Sequence, residues 1–102
     1  MKTFDLEIRV KTFGSVITSK VYLEDLTNES YKLTDWQQAD GYRYKKLPNY
    51  KIIDETLEVF AACNGIAGGT LTCEVLINEV LQDEKIIAKT EQKKFSIKSY
   101  KI

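Results

Sequence analysis

Thr3-Phe4-Asp5-Leu6-Glu7-Ile8-Arg9-Val10-Lys11 decides the fold class. Phe4, Leu6, Ile8 and Val10 alternate with polar residues at a strict period of two, the period at which side chains leave opposite faces of a strand. One face is therefore buried and the other wet, as in an antiparallel sheet covered on one side. Thr12-Phe13-Gly14-Ser15 reads as a turn. A second strand follows through Ile17, Val21 and Leu23. Asp25 to Ser30 is turn-like again, rich in short polar side chains that bond their own backbone.

In the middle of the chain, Tyr31 to Gln38 can pair with Tyr42 to Leu47 around Asp40-Gly41, a favoured hairpin dipeptide. A helix capped by Thr34 and Gln37 and closed by Gly41 is the competing reading. It would be under two turns long, and the hairpin is preferred. Pro48-Asn49 is expected to break the chain. Leu57, Val59, Ala61 and Cys63 then alternate, as do Leu71, Cys73, Val75 and Ile77. If these two runs are antiparallel neighbours, their apolar rows share a face when 57 meets 77, 59 meets 75, 61 meets 73 and 63 meets 71. That register predicts a connection from Asn64 to Thr70. Asn78-Glu79 suits a further tight turn, and Ile86-Ile87-Ala88 and Phe95-Ser96-Ile97 supply the last two strands. Six to eight short strands at this spacing, without repeat or linker, predict one domain over residues 1–102. Its expected architecture is an antiparallel β-sandwich, immunoglobulin-like or similar, with a small β-barrel as the alternative.

Composition bounds the chemistry. The 102 residues contain no histidine, which removes the commonest general base and metal ligand. Two cysteines alone cannot complete a structural zinc site. No catalytic residue, metal or cofactor is expected, and the chain reads as a non-enzyme. Cys63 and Cys73 are expected as free thiols on the buried face, diagonal to one another and too far apart for easy bridging. Gly65-Ile66-Ala67-Gly68-Gly69-Thr70 lacks the Gly-Lys-Ser/Thr ending of a phosphate loop and lies between strands, so it reads as a hairpin turn. Asp54, Glu55 and Glu58 read as solvated strand edges rather than a carboxylate pair. Asn28-Glu29-Ser30 matches a glycosylation acceptor triplet, one that arises often by chance.

The charges balance at 15 basic and 15 acidic but are segregated along the chain. Residues 41–51 carry four basic and no acidic groups, residues 52–84 seven acidic and no basic groups, and residues 85–102 six basic groups against Glu91. Complementary pairing between neighbouring strands accounts for this. No run is long and apolar enough to span a bilayer. The first residues have no signal-peptide character, leaving a cytoplasmic protein or a mature secreted domain, with the first slightly favoured.

Gly41-Tyr42-Arg43-Tyr44-Lys45-Lys46-Leu47-Pro48-Asn49-Tyr50-Lys51 interleaves tyrosines with cations. Two readings compete: a core row of Tyr42 and Tyr44 backed by solvated Arg43 and Lys45, or a binding strip. The functional expectation is an interaction module that recognises a protein partner through an edge strand, such as 93–102, or through loops. Its candidate contacts are Trp36, Tyr42, Arg43, Tyr44, Tyr50, Asn64, Gly65 and Gly68. A carbohydrate-binding module with Trp36 and the tyrosines as a platform is the alternative. A single-stranded nucleic-acid surface on segments 41–51 and 85–102 follows it.

Overall fold

The computed structural model describes residues 2–25, 27–92 and 94–102. Met1, Leu26 in the expected turn 25–30, and Lys93 at the head of the expected edge 93–102 lie outside the described residues. Nine strands and one 3-10 turn form among the described residues: β1 (Lys2–Phe13), β2 (Val16–Leu23), the 3-10 turn (Glu29–Tyr31), β3 (Gln37–Ala39), β4 (Tyr42–Ile52), β5 (Thr56–Gly65), β6 (Thr70–Ile77), β7 (Val80–Leu81), β8 (Ile86–Lys89) and β9 (Ser96–Lys101). No helix among them is long and apolar enough to cross a membrane.

The strands divide into two antiparallel sheets. The larger has the order β3-β4-β1-β6, with β7 and β8 both continuing beyond β6, and the smaller is β2-β5-β9. No backbone ladder joins the sheets among the described residues, so the fold is a sandwich and not a closed barrel. Its extents are 41 × 30 × 25 Å.

β1 behaves as its period requires. Phe4, Leu6, Ile8 and Val10 are buried and lie in one core with Val21, Leu23, Leu57, Val59, Leu71, Val75 and Ile86. Asp40-Gly41 and Asn78-Glu79 are both two-residue hairpin loops, closing Ala39 on Tyr42 and Ile77 on Val80. Asn78 and Glu79 both have positive φ, 50° and 69°, the pair a type I′ turn demands.

Four expectations need correction. First, β5 and β6 are not a hairpin. Both alternations are real and both rows are buried, but β5 pairs with β2 and β9 while β6 pairs with β1, β7 and β8. The rows face one another across the core from opposite sheets, and the connection is a four-residue arch from 66 to 69. Cys63 and Cys73, free and buried, therefore belong to opposite sheets rather than to diagonal neighbours. Second, Ile17 is 75% exposed. The β2–β5 register shifts between Val16 and Thr18, and this bulge throws Ile17 out and turns Val16 inward. Third, Pro48-Asn49 does not break the chain. β4 runs through it with a bulge opposite Asp5, where Asn49 takes a φ of 54° and its N–H donates to Asp5 Oδ1 at 3.1 Å. Fourth, the strand expected over Tyr31 to Gln38 shrinks to Gln37–Ala39. Tyr31 ends the 3-10 turn, which Asn28 caps through Oδ1 to Ser30 N.

Among the described residues five connections change sheet, and three of them meet at one end. These are the arches β1–β2, β5–β6 and β8–β9. Ile66 N donates to Ser15 O at 3.0 Å, Thr90 N to Gly69 O at 3.0 Å, and Gly68 N to Glu91 Oε1 at 3.1 Å. Glycine is required by this nesting. A Cβ on Gly65 would stand 1.9 Å from Ser15 O, and one on Gly14 would stand 2.9 Å from Gly68 O.

Candidate functional site

Strand register settles which way the tyrosine–cation strip faces. In β1 the odd residues face out. Tyr44 lies opposite Arg9 and Lys46 opposite Glu7, whereas Arg43 lies opposite Val10 and Lys45 opposite Ile8. Tyr42, Tyr44 and Lys46 therefore sit on the outer face of the larger sheet, and Arg43 and Lys45 on the inner side. The core row of tyrosines with solvated cations is inverted.

On that outer face the two rings stand side by side, centroids 6.0 Å apart and planes tilted by 49°. The Arg9 guanidinium sits over Tyr42 at 5.3 Å and the Lys46 ammonium over Tyr44 at 5.9 Å, both within cation–π range. Arg9 Nε also donates to Glu7 Oε2, an ion pair that raises the guanidinium pKa further. In β6, Glu74 accepts an ion pair from Lys11 at 3.2 Å and is 8% exposed, although it lies on the outer face. Glu7, Arg9, Ala39, Tyr42, Tyr44 and Lys46 line an open depression of about 210 Å³. Shape and lining suit a side chain or two of a partner. A carboxylate, an amide or a ring could settle against fixed tyrosines and cations there.

The other expected contacts separate into three places. Arg43 lies under Trp36, 5.9 Å from the indole centroid, and its Nη2 donates to Ser19 Oγ at 2.7 Å. It therefore ties β4 of one sheet to β2 of the other, and Trp36 is half-buried against the core. Tyr50 turns inward past the Pro48-Asn49 bulge and packs edge-on to Phe4 at 5.9 Å. Burial, with Glu24 and Tyr31 nearby, pushes its hydroxyl up to about 12. Asn64, Gly65 and Gly68 belong to the arch end, where Gly65 is dictated by packing while Gly68, at a φ of 94°, has open space around it. Of the expected set, Tyr42 and Tyr44 share the outer face of the larger sheet.

Sequence reasoning missed Arg9, Lys46, Glu7 and Glu74 as members of that surface. The alternation of β1 already places Glu7 and Arg9 outside. What was lacking is the register that sets Arg9 beside Tyr44, since the bulge at Pro48-Asn49 shifts it by one. The basic segments 41–51 and 85–102 do not form one groove: β4 lies at one margin of the larger sheet, and β8 and β9 lie at the other side of the sandwich.

Comparison with protein-family models, with curated proteins and with solved structures finds no match to this chain.

Proposed function

We propose that this domain is a non-enzymatic binding module for a protein partner, and that the partner docks on the outer face of the larger sheet around Tyr42 and Tyr44. The observation that carries the reading is the outward pair of half-buried tyrosines, each held under a cation and edging a shallow depression. Tyrosine and arginine dominate the energetic centres of protein interfaces, because they offer large rigid contact area together with a polar handle. Here the cations fix the rings before binding, which lowers the entropy lost on association. β3 is only three residues long, so this margin of the sheet is thinly covered.

The carbohydrate alternative loses part of its basis, since Trp36 packs on the core and against Arg43. The nucleic-acid alternative loses its continuous basic groove.

The test is affinity capture from the native source with the wild-type chain and with a Tyr42→Ala/Tyr44→Ala double variant in parallel. A protein retained in stoichiometric amount by the wild type, and at least tenfold more weakly by the double variant, is the expected result. Equal retention by both removes this face from recognition. Retention of glycans or oligonucleotides alone removes the protein-partner reading.

A further inference from the structure

The sandwich has an open mouth where β4 begins. β4 starts at Tyr42 and pairs with β1 only as far as Arg43 with Val10, whereas β1 runs on to Phe13. Asn78 N–H donates to Asp5 O, so the odd residues of β1 bond toward β6 and the even ones toward β4. Thr12 therefore turns its N–H and C=O toward a place that the β4 ladder does not reach. In the smaller sheet, Glu24 N–H donates to Glu58 O, so the even residues of β2 bond to β5. Ser19 turns its backbone groups the other way, out of the sheet. Between these two backbones lies a depression of about 380 Å³, lined by Thr12, Val16, Ile17, Thr18, Ser19 and Arg43.

A second depression, of about 270 Å³, shares Thr12 and Arg43 and extends to Gln38 and Gly41. Arg43 is the one charged residue in either lining, and Asp40, beside Gly41 in the loop, enters neither. The ion pairs formed among the described residues are Arg9 with Glu7, Lys11 with Glu74 and Lys98 with Glu84, and they leave Arg43 out. Arg43 has the Trp36 indole on one side and gives one N–H to Ser19 Oγ. A clip between sheets needs a donor and not a charge, and a neutral amide would serve. The guanidinium instead brings a full positive charge and a fork of further N–H donors to a wall of hydroxyls and backbone. No carboxylate among the described residues balances it.

We infer that this mouth receives a carboxylate presented by an extended peptide, with its oxygens on the Arg43 fork and the Thr12 hydroxyl. Guanidinium and carboxylate are both planar and match edge to edge. One cation balances a monoanion, whereas a phosphate group carries up to twice that charge into a lining that holds no second cation. The open backbone of Thr12 and Ser19 favours a peptide over a free acid, because a peptide brings donors and acceptors of its own. The larger depression includes neither Tyr42 nor Tyr44 and is independent of the docking face proposed above.

Titration of the nitrogen-15-labelled chain with acetyl-trialanine bearing a free C-terminus, followed by NMR at the Arg43 Nε–H and the Ser19 amide, is the test. Saturable shifts at both are expected, with no response to the same peptide amidated at its C-terminus. An amidated acetyl-Ala-Asp-Ala distinguishes the source of the carboxylate. Saturation by the first peptide alone marks a chain terminus, and saturation by the aspartyl peptide marks a side-chain carboxylate as well. Arg43→Lys keeps the charge and loses the fork, and should weaken binding about tenfold. Thr12→Val, at an exposed position, should weaken it about threefold at unchanged melting temperature. Ser19→Ala removes the clip and leaves the guanidinium, so binding should persist. Tyr44→Ala should titrate like the wild type, which keeps this site and the docking face separable. Silence of both carboxylate peptides overturns the inference, as does tighter saturation by inorganic phosphate. Shifts at Arg9 and Lys46 equal to those at Arg43, or binding indifferent to both Arg43→Lys and Thr12→Val, overturn it too.

Discussion

At the scale of the residue, Gly65 is the most tightly enclosed of the five glycines. It pairs with Val16 at the mouth of two arches, and any Cβ there meets the Ser15 carbonyl at 1.9 Å. Relief requires the backbone of one arch to move, and no flexible side chain can yield instead. Gly65→Ala should therefore cost on the order of 3 kcal/mol and lower the melting temperature by roughly 10 °C or more. Thermal unfolding followed by circular dichroism measures this, and Gly68→Ala serves as the partner experiment. Gly68 has open space around it, and only its φ of 94° is lost, so its cost should be smaller. Glu24 is a residue in conflict with its surroundings. It has a φ of 70°, a half-buried carboxylate with one oxygen lacking a hydrogen-bond partner among the described residues, and a pKa raised by burial and by the nearby Glu58 and Asp54. A carboxyl whose pKa is higher folded than unfolded contributes its full share to stability below the unfolded value. That share is lost as pH rises through the folded value. Glu24→Gln should thus raise the melting temperature at neutral pH, and the gain should vanish below about pH 4. A gain that persists at low pH would mean that the charge is not the cause.

At the scale of the element, the turns were legible and the pairings were not. Asp40-Gly41 and Asn78-Glu79 appear where short-range turn chemistry puts them. The second is imperfect: Glu79 occupies a left-handed position that glycine fills without strain, while Asn78 already anchors the turn through Oδ1 to Asp5 N and N–H to Asp5 O. Glu79→Gly should stabilise the domain by about 0.5–1 kcal/mol, read as a shift of the denaturation midpoint at unchanged slope. By contrast, the alternation of β5 and β6 says which side of each strand is buried and nothing about which sheet holds it. Parity arithmetic constrains strands only once they are neighbours. In a sandwich, two inward rows can meet either as a hairpin or across the core. The bulges at Ile17 and Asn49 are illegible for a related reason, since one inserted residue reverses every face beyond it. That reversal decided the candidate site, for it put Tyr42 and Tyr44 outside and Arg43 inside.

At the scale of the whole molecule, the sandwich places its two thiols on opposite sheets. Cys63 faces in from the smaller sheet, its Sγ 3.7 Å from the Ala88 carbonyl, and Cys73 from the larger, its pKa pushed up to about 12 by burial. Both thiols are free and buried in the core. Neither thiol should react with a water-soluble disulfide reagent in the native state at mildly alkaline pH, and both should react once the chain is denatured. Rapid native labelling of Cys73 would show that the core opens locally. The segregated charges also take on meaning only at this scale. In sequence they are blocks, whereas in the fold they become local pairs such as Lys11 with Glu74.

The arches have a consequence in time as well as in space. β1 is the interior strand on which the larger sheet is assembled, yet its two partners lie about 40 and about 70 residues downstream, as Leu6 with Leu47 and with Ile77 shows. A chain emerging from its N-terminus must therefore hold its most apolar face unsatisfied until most of the sequence is made. The first contacts available to it, the β3–β4 and β6–β7 hairpins, involve little of the core. Folding must then await distant meetings rather than grow from near ones, which places this domain among the slow folders of its size.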